Sequence, residues 1–206
     1  MKSERIVCID PGHPSEVGRG TQGKKITEMW AVWDAAKKVK QLLQEQGVRV
    51  VLTKNTLEQF VRNRDRAETA NRARAGLMVR LHCDALAGSG FATYYPDRQG
   101  VSGKKRGPSA AIIAASGRAA RVFQASLARS LAGVLANRGL HSDTATAVGR
   151  KQGALTGSIY SEVPVLLVEI CVLTNPRDEA FMSEERNRWK VAEALAQATL
   201  DALDAQ

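Results

Sequence analysis

The stretch Val163–Ile170, VPVLLVEI, is the most continuous apolar run in the chain and narrows the fold more than any other segment. It is too short to read as a helix and rich in valine, so it suits a β-strand covered on both faces. A strand of that kind belongs to a sheet packed between layers of helices. Its one exception is Glu169. A carboxylate left unpaired there is costly or shifts its pKa, so Glu169 is expected to be paired, protonated or turned toward a polar cleft.

The rest of the chain supplies those layers. Arg5–Ile9 is a short β-branched run ending at Asp10-Pro11-Gly12, a strand emptying into a tight turn that delivers His13 beyond it. From Thr27 to Gln46, Met29, Val32, Trp33, Ala36, Val39 and Leu43 recur at three- and four-residue spacing, with Thr27 as cap and Gly47 as stop. Val48–Thr53 predicts a second strand, a charged segment from about Leu57 to Arg74 a helix, and Leu77–Leu81 a third strand that His82 closes. Phe91–Tyr95 predicts a fourth. Pro96–Gly117, rich in glycine, basic and small residues, is expected to be a long mobile surface loop. Arg118–Asn137 has helical spacing with Gly139 as its stop, and His141–Ser158 is a second polar, glycine-bearing stretch in which His141 reads as ordinary surface. Asn175-Pro176 is a cap followed by a first-turn proline, and Glu184–Leu203 is a closing amphipathic helix. The expected architecture is α/β: a largely parallel twisted sheet flanked by helices on both faces, in a single domain spanning 1–206. No repeat or linker announces a second module.

Composition excludes several classes. With 44% hydrophobic and 25% charged residues, the chain buries a core and is not a disordered segment. No run approaches the roughly 18–20 apolar residues of a membrane helix. Three cysteines, Cys8, Cys83 and Cys171, are an odd number inside or beside apolar runs, which argues against a disulfide scaffold, and no CxxC pair suggests a thiolate metal site. A net charge of +9 favours anionic partners such as nucleic acid, anionic lipid or anionic cell-wall polymer. Nucleic acid is disfavoured, because only 5% of residues are aromatic and no nucleic-acid motif accompanies the charge. The N-terminal MKSERIVCID shows no apolar leader core and no cleavage site.

In open α/β sheets, functional groups gather at the carboxyl ends of strands. His13 follows the first strand, His82 the third, and Glu169 lies near the end of the most apolar one, while Glu28 opens the first long helix. Taken singly, each has a plain alternative. Strand-end histidines commonly just hydrogen-bond, and a glutamate in a first turn complements the helix dipole. Together, two imidazoles and one carboxylate match the three-ligand count of a catalytic zinc site, and the remaining carboxylate is placed to act as general base.

Five motifs in order then carry a resemblance: IDPGH at Ile9–His13, TEMW at Thr27–Trp30, RAETAN at Arg66–Asn71, LHCDA at Leu81–Ala85 and PVLLVEICVLTNPRDE at Pro164–Glu179. With them the chain resembles the zinc-dependent N-acetylmuramoyl-L-alanine amidases of the amidase type 3 class over nearly its whole length. The resemblance implies a zinc ion, Zn2+, held by His13, Glu28 and His82, with Glu169 as the catalytic carboxylate. The implied reaction is hydrolysis of the amide joining N-acetylmuramic acid to L-alanine in peptidoglycan. Arg66 and Asn71 match family positions too and read as structural. Three departures stand out: Pro14-Ser15-Glu16 where glycines are usual, Arg80 where serine is common, and Asp84 where asparagine is usual.

Two other readings are carried forward: a zinc hydrolase of a different amide, and a catalytically silent basic module that adheres to the wall. With no leader and no appended wall-binding domain in view, the expectation is a lysin made in the cytoplasm and acting on the wall, or a trimmed mature form of a secreted protein. The basic cluster Lys104, Lys105 and Arg106 is a candidate contact to anionic wall polymer. Pro96–Gly117 and His141–Ser158 are long enough to act as lids over the metal.

Overall fold

The computed structural model describes residues 5–206. The expectation of no leader rests partly on residues 1–4, which lie outside the described residues. Eight strands and seven α-helices follow in the order β1 (Ile6–Pro11), α1 (Glu28–Glu45), β2 (Arg49–Leu52), α2 (Asn63–Arg72), β3 (Leu77–Asp84), β4 (Phe91–Tyr95), β5 (Gly100–Ser102), β6 (Lys105–Gly107), α3 (Ala110–Ser130), β7 (Asn137–Ser142), α4 (Ala147–Gln152), α5 (Thr156–Ile159), β8 (Val165–Val172), α6 (Pro176–Ser183) and α7 (Glu185–Asp204). Six strands form one sheet in the order β2-β1-β3-β8-β4-β7, and β5 and β6 form a separate hairpin. Strands β2, β1, β3 and β8 are mutually parallel, whereas β4 runs antiparallel to β8 and parallel to β7. The expected α/β sheet with helices on both faces is what the chain forms.

Successive strand residues point to opposite faces, and here the two faces differ in kind. Val7 and Ile9 of β1, Leu77, Val79 and Leu81 of β3, and Leu166, Val168 and Ile170 of β8 enter one large core with α1, α3 and α7. The alternate residues face the short helices α2 and α5. There the apolar packing is small: Cys8, Met78 and Val165 with Ala70 of α2 in one cluster, and Ala92, Tyr94, Leu155 and Leu167 in another. Asp10, Arg80, His82 and Glu169 occupy this thinly covered face, because they sit at the same parity as Cys8, Met78 and Leu167. The heavy face provides the core that holds the sheet, and the light face is free for polar chemistry.

Local signals explain most element ends. Thr27 caps α1 by accepting a hydrogen bond from the Trp30 amide at 3.1 Å, and Gly47, at φ +72°, follows its end. Asn175 caps α6 with Pro176 at the first helical position. All three cysteines are buried and free, as expected.

Four expectations are corrected. Pro96–Gly117 is not a mobile loop: it contains the β5–β6 hairpin and the first turns of α3, which Ser109 caps by accepting from the Ile112 amide. Three-residue strands are too short to show alternation, and the alanine-rich start of α3 carries little amphipathic signal. His141–Ser158 is likewise ordered as the end of β7, a 3₁₀ turn at Asp143–Ala145, α4 and α5. As an edge strand β7 is largely polar, so its sequence looks like a loop. The charged helix begins at Asn63, not near Leu57, because Lys54 and Val61 are bonded to the loop after β1 through the carbonyls of His13 and Pro14. His141 is not ordinary surface: its ring lies 5.3 Å from that of Tyr94, and its Nε2 faces the Arg138 carbonyl at 2.8 Å.

Candidate metal centre

Strand β1 ends by pairing Pro11 with Leu81 of β3, and Gly12 extends the ladder by donating to the Leu81 carbonyl at 2.9 Å. Gly12 has to lack a side chain, since a Cβ there would come within 2.5 Å of the His82 ring. The chain then turns at His13, whose φ is +54°. His13 Nδ1 faces the Gly18 carbonyl at 3.0 Å, which fixes the ring and leaves Nε2 pointing inward. Gly20, at φ +83°, passes so close that a Cβ would fall 2.6 Å from Glu28 Oε2 and 2.8 Å from the His13 ring.

Glu28, the first residue of α1, is 3% exposed. Its Oε2 accepts from the Thr21 amide at 2.7 Å. Its Oε1 accepts from the Cys83 amide at 3.1 Å and meets His13 Nε2 at 3.3 Å and His82 Nδ1 at 3.0 Å. The two rings stand edge to face with centroids 5.1 Å apart. Burial opposes ionisation of Glu28, but the hydrogen bonds from His13 and His82 outweigh it and hold the carboxyl well below the ordinary range. Burial also lowers the His82 pKa, whereas at His13 the Glu28 carboxylate overcomes burial and raises it.

One ligand atom from each of His13, Glu28 and His82 lies within 4.8 Å of the others. Donors about 2.0–2.2 Å from a tetrahedral ion stand roughly 3.3–3.6 Å apart; His13 Nε2 is 3.3 Å from Glu28 Oε1, and His82 Nδ1, at 3.0 Å, is slightly closer. The donor set, two imidazoles and a carboxylate, and the glycines that make room for them fit a divalent transition ion. His82 and Glu169 are register partners on β3 and β8, so their side chains share the light face. Each carries a buried polar atom with no hydrogen-bond partner among the described residues, His82 Nε2 and Glu169 Oε2. Burial first, then the negative charges of Glu28 and Asp84, push the Glu169 carboxyl well above its usual pKa. A buried carboxyl on the strand register of His82, with its pKa raised so that proton uptake is favoured, has the capacity for acid–base work.

Of the four residues chosen from the sequence, His13, Glu28 and His82 converge at the ends of β1 and β3 and the start of α1, and Glu169 stands beside His82 as its register partner. Arg66 also has the structural role expected of it. It is fully buried and donates from Nη1 to Asp10 Oδ1 at 2.6 Å and the Pro11 carbonyl at 2.7 Å, and from Nη2 to the Pro14 carbonyl at 3.0 Å. The loop that delivers His13 is thereby clamped on both sides. Asn71 lies elsewhere and joins α2 to the segment after α5 through Tyr160 and Glu162. Sequence reasoning missed Asp10, the buried carboxylate between Arg66 and Arg80, and Lys54, which donates to the His13 carbonyl. Asp10 lies inside one of the five motifs, and its parity with Cys8 was the available signal. Also missed was the pair beyond Glu169, Asp84 with Arg138 at 2.6 Å, where Arg138 also donates to the Tyr94 hydroxyl at 3.3 Å. Nothing in the polar sequence of β7 pointed to it.

With that geometry in hand, similarity to known proteins is informative. The family described as N-acetylmuramoyl-L-alanine amidase matches residues 7–201. The chain is 28% identical over 229 residues to the N-acetylmuramoyl-L-alanine amidase of Mycobacterium tuberculosis, covering 98% of this chain and 87% of that one. It is 26% identical to the amidase LytC of Bacillus subtilis over 94% of this chain, and spans only 34% of that longer protein. Among solved structures, the Mycobacterium smegmatis amidase superposes with a TM-score of 0.80 at 25% identity, covering 98% of both chains. The helices described are not long and apolar enough to cross a membrane. The chain belongs to the N-acetylmuramoyl-L-alanine amidase family and is an amide hydrolase of peptidoglycan.

Proposed function

We propose that the ion is Zn2+, held by His13, Glu28 and His82, and that Glu169 is the catalytic carboxylate in cleavage of the amide between N-acetylmuramic acid and L-alanine. The observation that carries this reading is the convergence of the three donors around Glu28 Oε1 with Glu169 as the register partner of His82. When bound, the ion would supply Lewis-acid polarisation of the scissile carbonyl. The remaining work falls to side chains. Glu169 takes the proton of the attacking water as its negative neighbours favour proton uptake, then gives it to the departing L-alanine amine. The Gly18 carbonyl and the Thr21 and Cys83 amides keep His13 and Glu28 in place, so little reorganisation accompanies the reaction. Arg66 and Lys54 hold the His13 loop by its carbonyls.

Glu169→Gln is expected to keep a full complement of metal and lose about 10²–10⁴-fold in turnover, the usual share of a general acid–base group. Metal content by elemental analysis and amide cleavage by mass spectrometry read the two effects separately. Retained turnover removes Glu169 from the role, and lost metal makes it a ligand instead.

The presence of all four groups favours a working enzyme over a silent wall-binding module. In this proposal residues 1–206 act as one catalytic domain on the cell wall in the manner of a lysin, with the positive charge drawing the protein to anionic wall polymer instead of nucleic acid.

A further inference from the structure

Arg80 stands two residues before His82 on β3, hence on the same light face, at the position where the family commonly has serine. Its side chain is 3% exposed. Nε donates to Asp10 Oδ2 at 2.8 Å and Nη2 to Asn63 Oδ1 at 2.6 Å, but no described residue accepts from Nη1. The guanidinium lies across Gly157 of α5, where a Cβ would stand 2.7 Å from Nη1 and 2.8 Å from Cζ. Together with His13, His82, Asn63, Thr156 and Leu167, Arg80 lines a pocket of about 170 Å³ that opens beside the metal ligands.

Arg66 and Arg80 share the carboxylate of Asp10, Arg80 reaching it through Nε, so no carboxylate of the described residues forms an ion pair with Nη1. Asp143 and Glu169 act on Arg80 only through the field, and one Asp143 oxygen already accepts from the Leu155 amide. An anionic ligand at Nη1 would make a charge-assisted hydrogen bond there. In a muramyl peptide the lactyl carboxyl is consumed in the scissile amide, so the nearest anion lies on the peptide side: the α-carboxyl of the second residue, a glutamate joined to the next through its side chain. An extended peptide spans about 7 Å over two residues, and so does the step from His82 to Arg80 along β3.

We propose that Arg80 forms a subsite for the stem-peptide carboxylate nearest the scissile amide, so that this chain distinguishes a free carboxylate at the second stem residue from its carboxamide. The proposal rests on the amidase reading for its substrate and on the pocket for its chemistry. Two measurements separate them. Calorimetric titration of the zinc-loaded and the chelated protein with L-alanyl-D-glutamate blocked as its γ-methylamide, and with the α-carboxamide of that compound, reads the subsite without catalysis. The kcat/KM on the corresponding γ-methylamide muramyl dipeptides in both forms reads it during turnover.

The carboxylate form is expected to bind about tenfold more tightly and to be cleaved with a similar advantage, carried by KM. Arg80→Gln should bring the ratio near one. Gly157→Ala, which keeps every charge but presses a methyl group against the guanidinium, should do the same, and it decides the matter if Arg80→Gln fails to fold. Equal binding of the two peptides by the unaltered protein, or a preference that survives both substitutions, overturns the subsite. A carboxylate preference without cleavage of either muramyl peptide keeps the subsite and removes the amidase substrate. Equal cleavage of both keeps the amidase and removes the subsite.

Discussion

At the residue scale the candidate centre depends on a carboxylate outside the proposed ligand set. Asp10 is fully buried, with a guanidinium on each oxygen and the Thr53 hydroxyl donating to Oδ1. Burial alone would raise its pKa, but Arg66 and Arg80 overcome it and hold the carboxyl far below its usual range. Because the folded value lies below the unfolded one, its stabilising contribution is complete above the unfolded pKa of about 3.9 and is lost as pH falls toward the folded value. Asp10→Asn leaves two buried guanidiniums without a counter-charge. It should cost about 3–5 kcal/mol at neutral pH, and the loss of stability below pH ~4 should be shallower than in the unaltered protein. Denaturant unfolding across pH 2–7 checks both, and an unchanged midpoint at neutral pH would show that the cluster does not hold the loop. Glu169 is legible in the sequence, because a carboxylate in an apolar octet has few explanations. Asp10 is not, because at a strand-to-turn junction an aspartate reads as turn chemistry.

At the element scale, Gly12 shows how backbone room positions the His82 ring. Replacing it with alanine puts a methyl group 2.5 Å from that ring while leaving every proposed ligand in the chain. Zinc affinity should fall about 10–100-fold, the range seen when a ligand's support is disturbed, with the helical content of the protein unchanged. Competition with a chromophoric chelator measures it, and full affinity would show that His82 moves freely. The β5–β6 hairpin carries the other element-scale expectation. Lys104 lies at its tip, Arg106 pairs with Val101 across it, and Lys105 faces Glu162 at 3.9 Å, so the basic cluster sits on a defined ribbon instead of a loose lid. Neutralising all three residues should reduce pelleting with purified cell walls several-fold at low salt, with cleavage of a soluble muramyl peptide unchanged. Undiminished pelleting would move wall affinity elsewhere on the surface. Long periodic elements such as α1 and α7 are readable from spacing. The hairpin, β7 and the short α4 and α5 are not, since their limits come from pairing and capping contacts made only in the folded chain.

At the scale of the whole molecule, the two faces of the sheet divide the labour. Three long helices bury one face in a continuous core, and the short helices on the other leave β1, β3 and β8 to present Asp10, Arg80, His82 and Glu169 side by side. The α/β class follows from alternating strand and helix signals, and the order of motifs places His13 and His82 at strand ends and Glu28 at the start of α1. The reversed direction of β4 and β7 is invisible to that reasoning, because a strand's direction within its sheet is set by its connections and not by its residues. Under the proposed function, this end of the sheet holds a zinc-dependent centre for the muramyl–alanine amide. The most direct measurement is digestion of a purified muramyl peptide by the protein as isolated, after chelation, and after zinc is restored, with the new termini identified by mass spectrometry. The expected result is cleavage that chelation abolishes and zinc recovers, releasing a peptide with a free L-alanine amine. Cleavage that persists after complete metal removal, or new termini at any other bond, would contradict it.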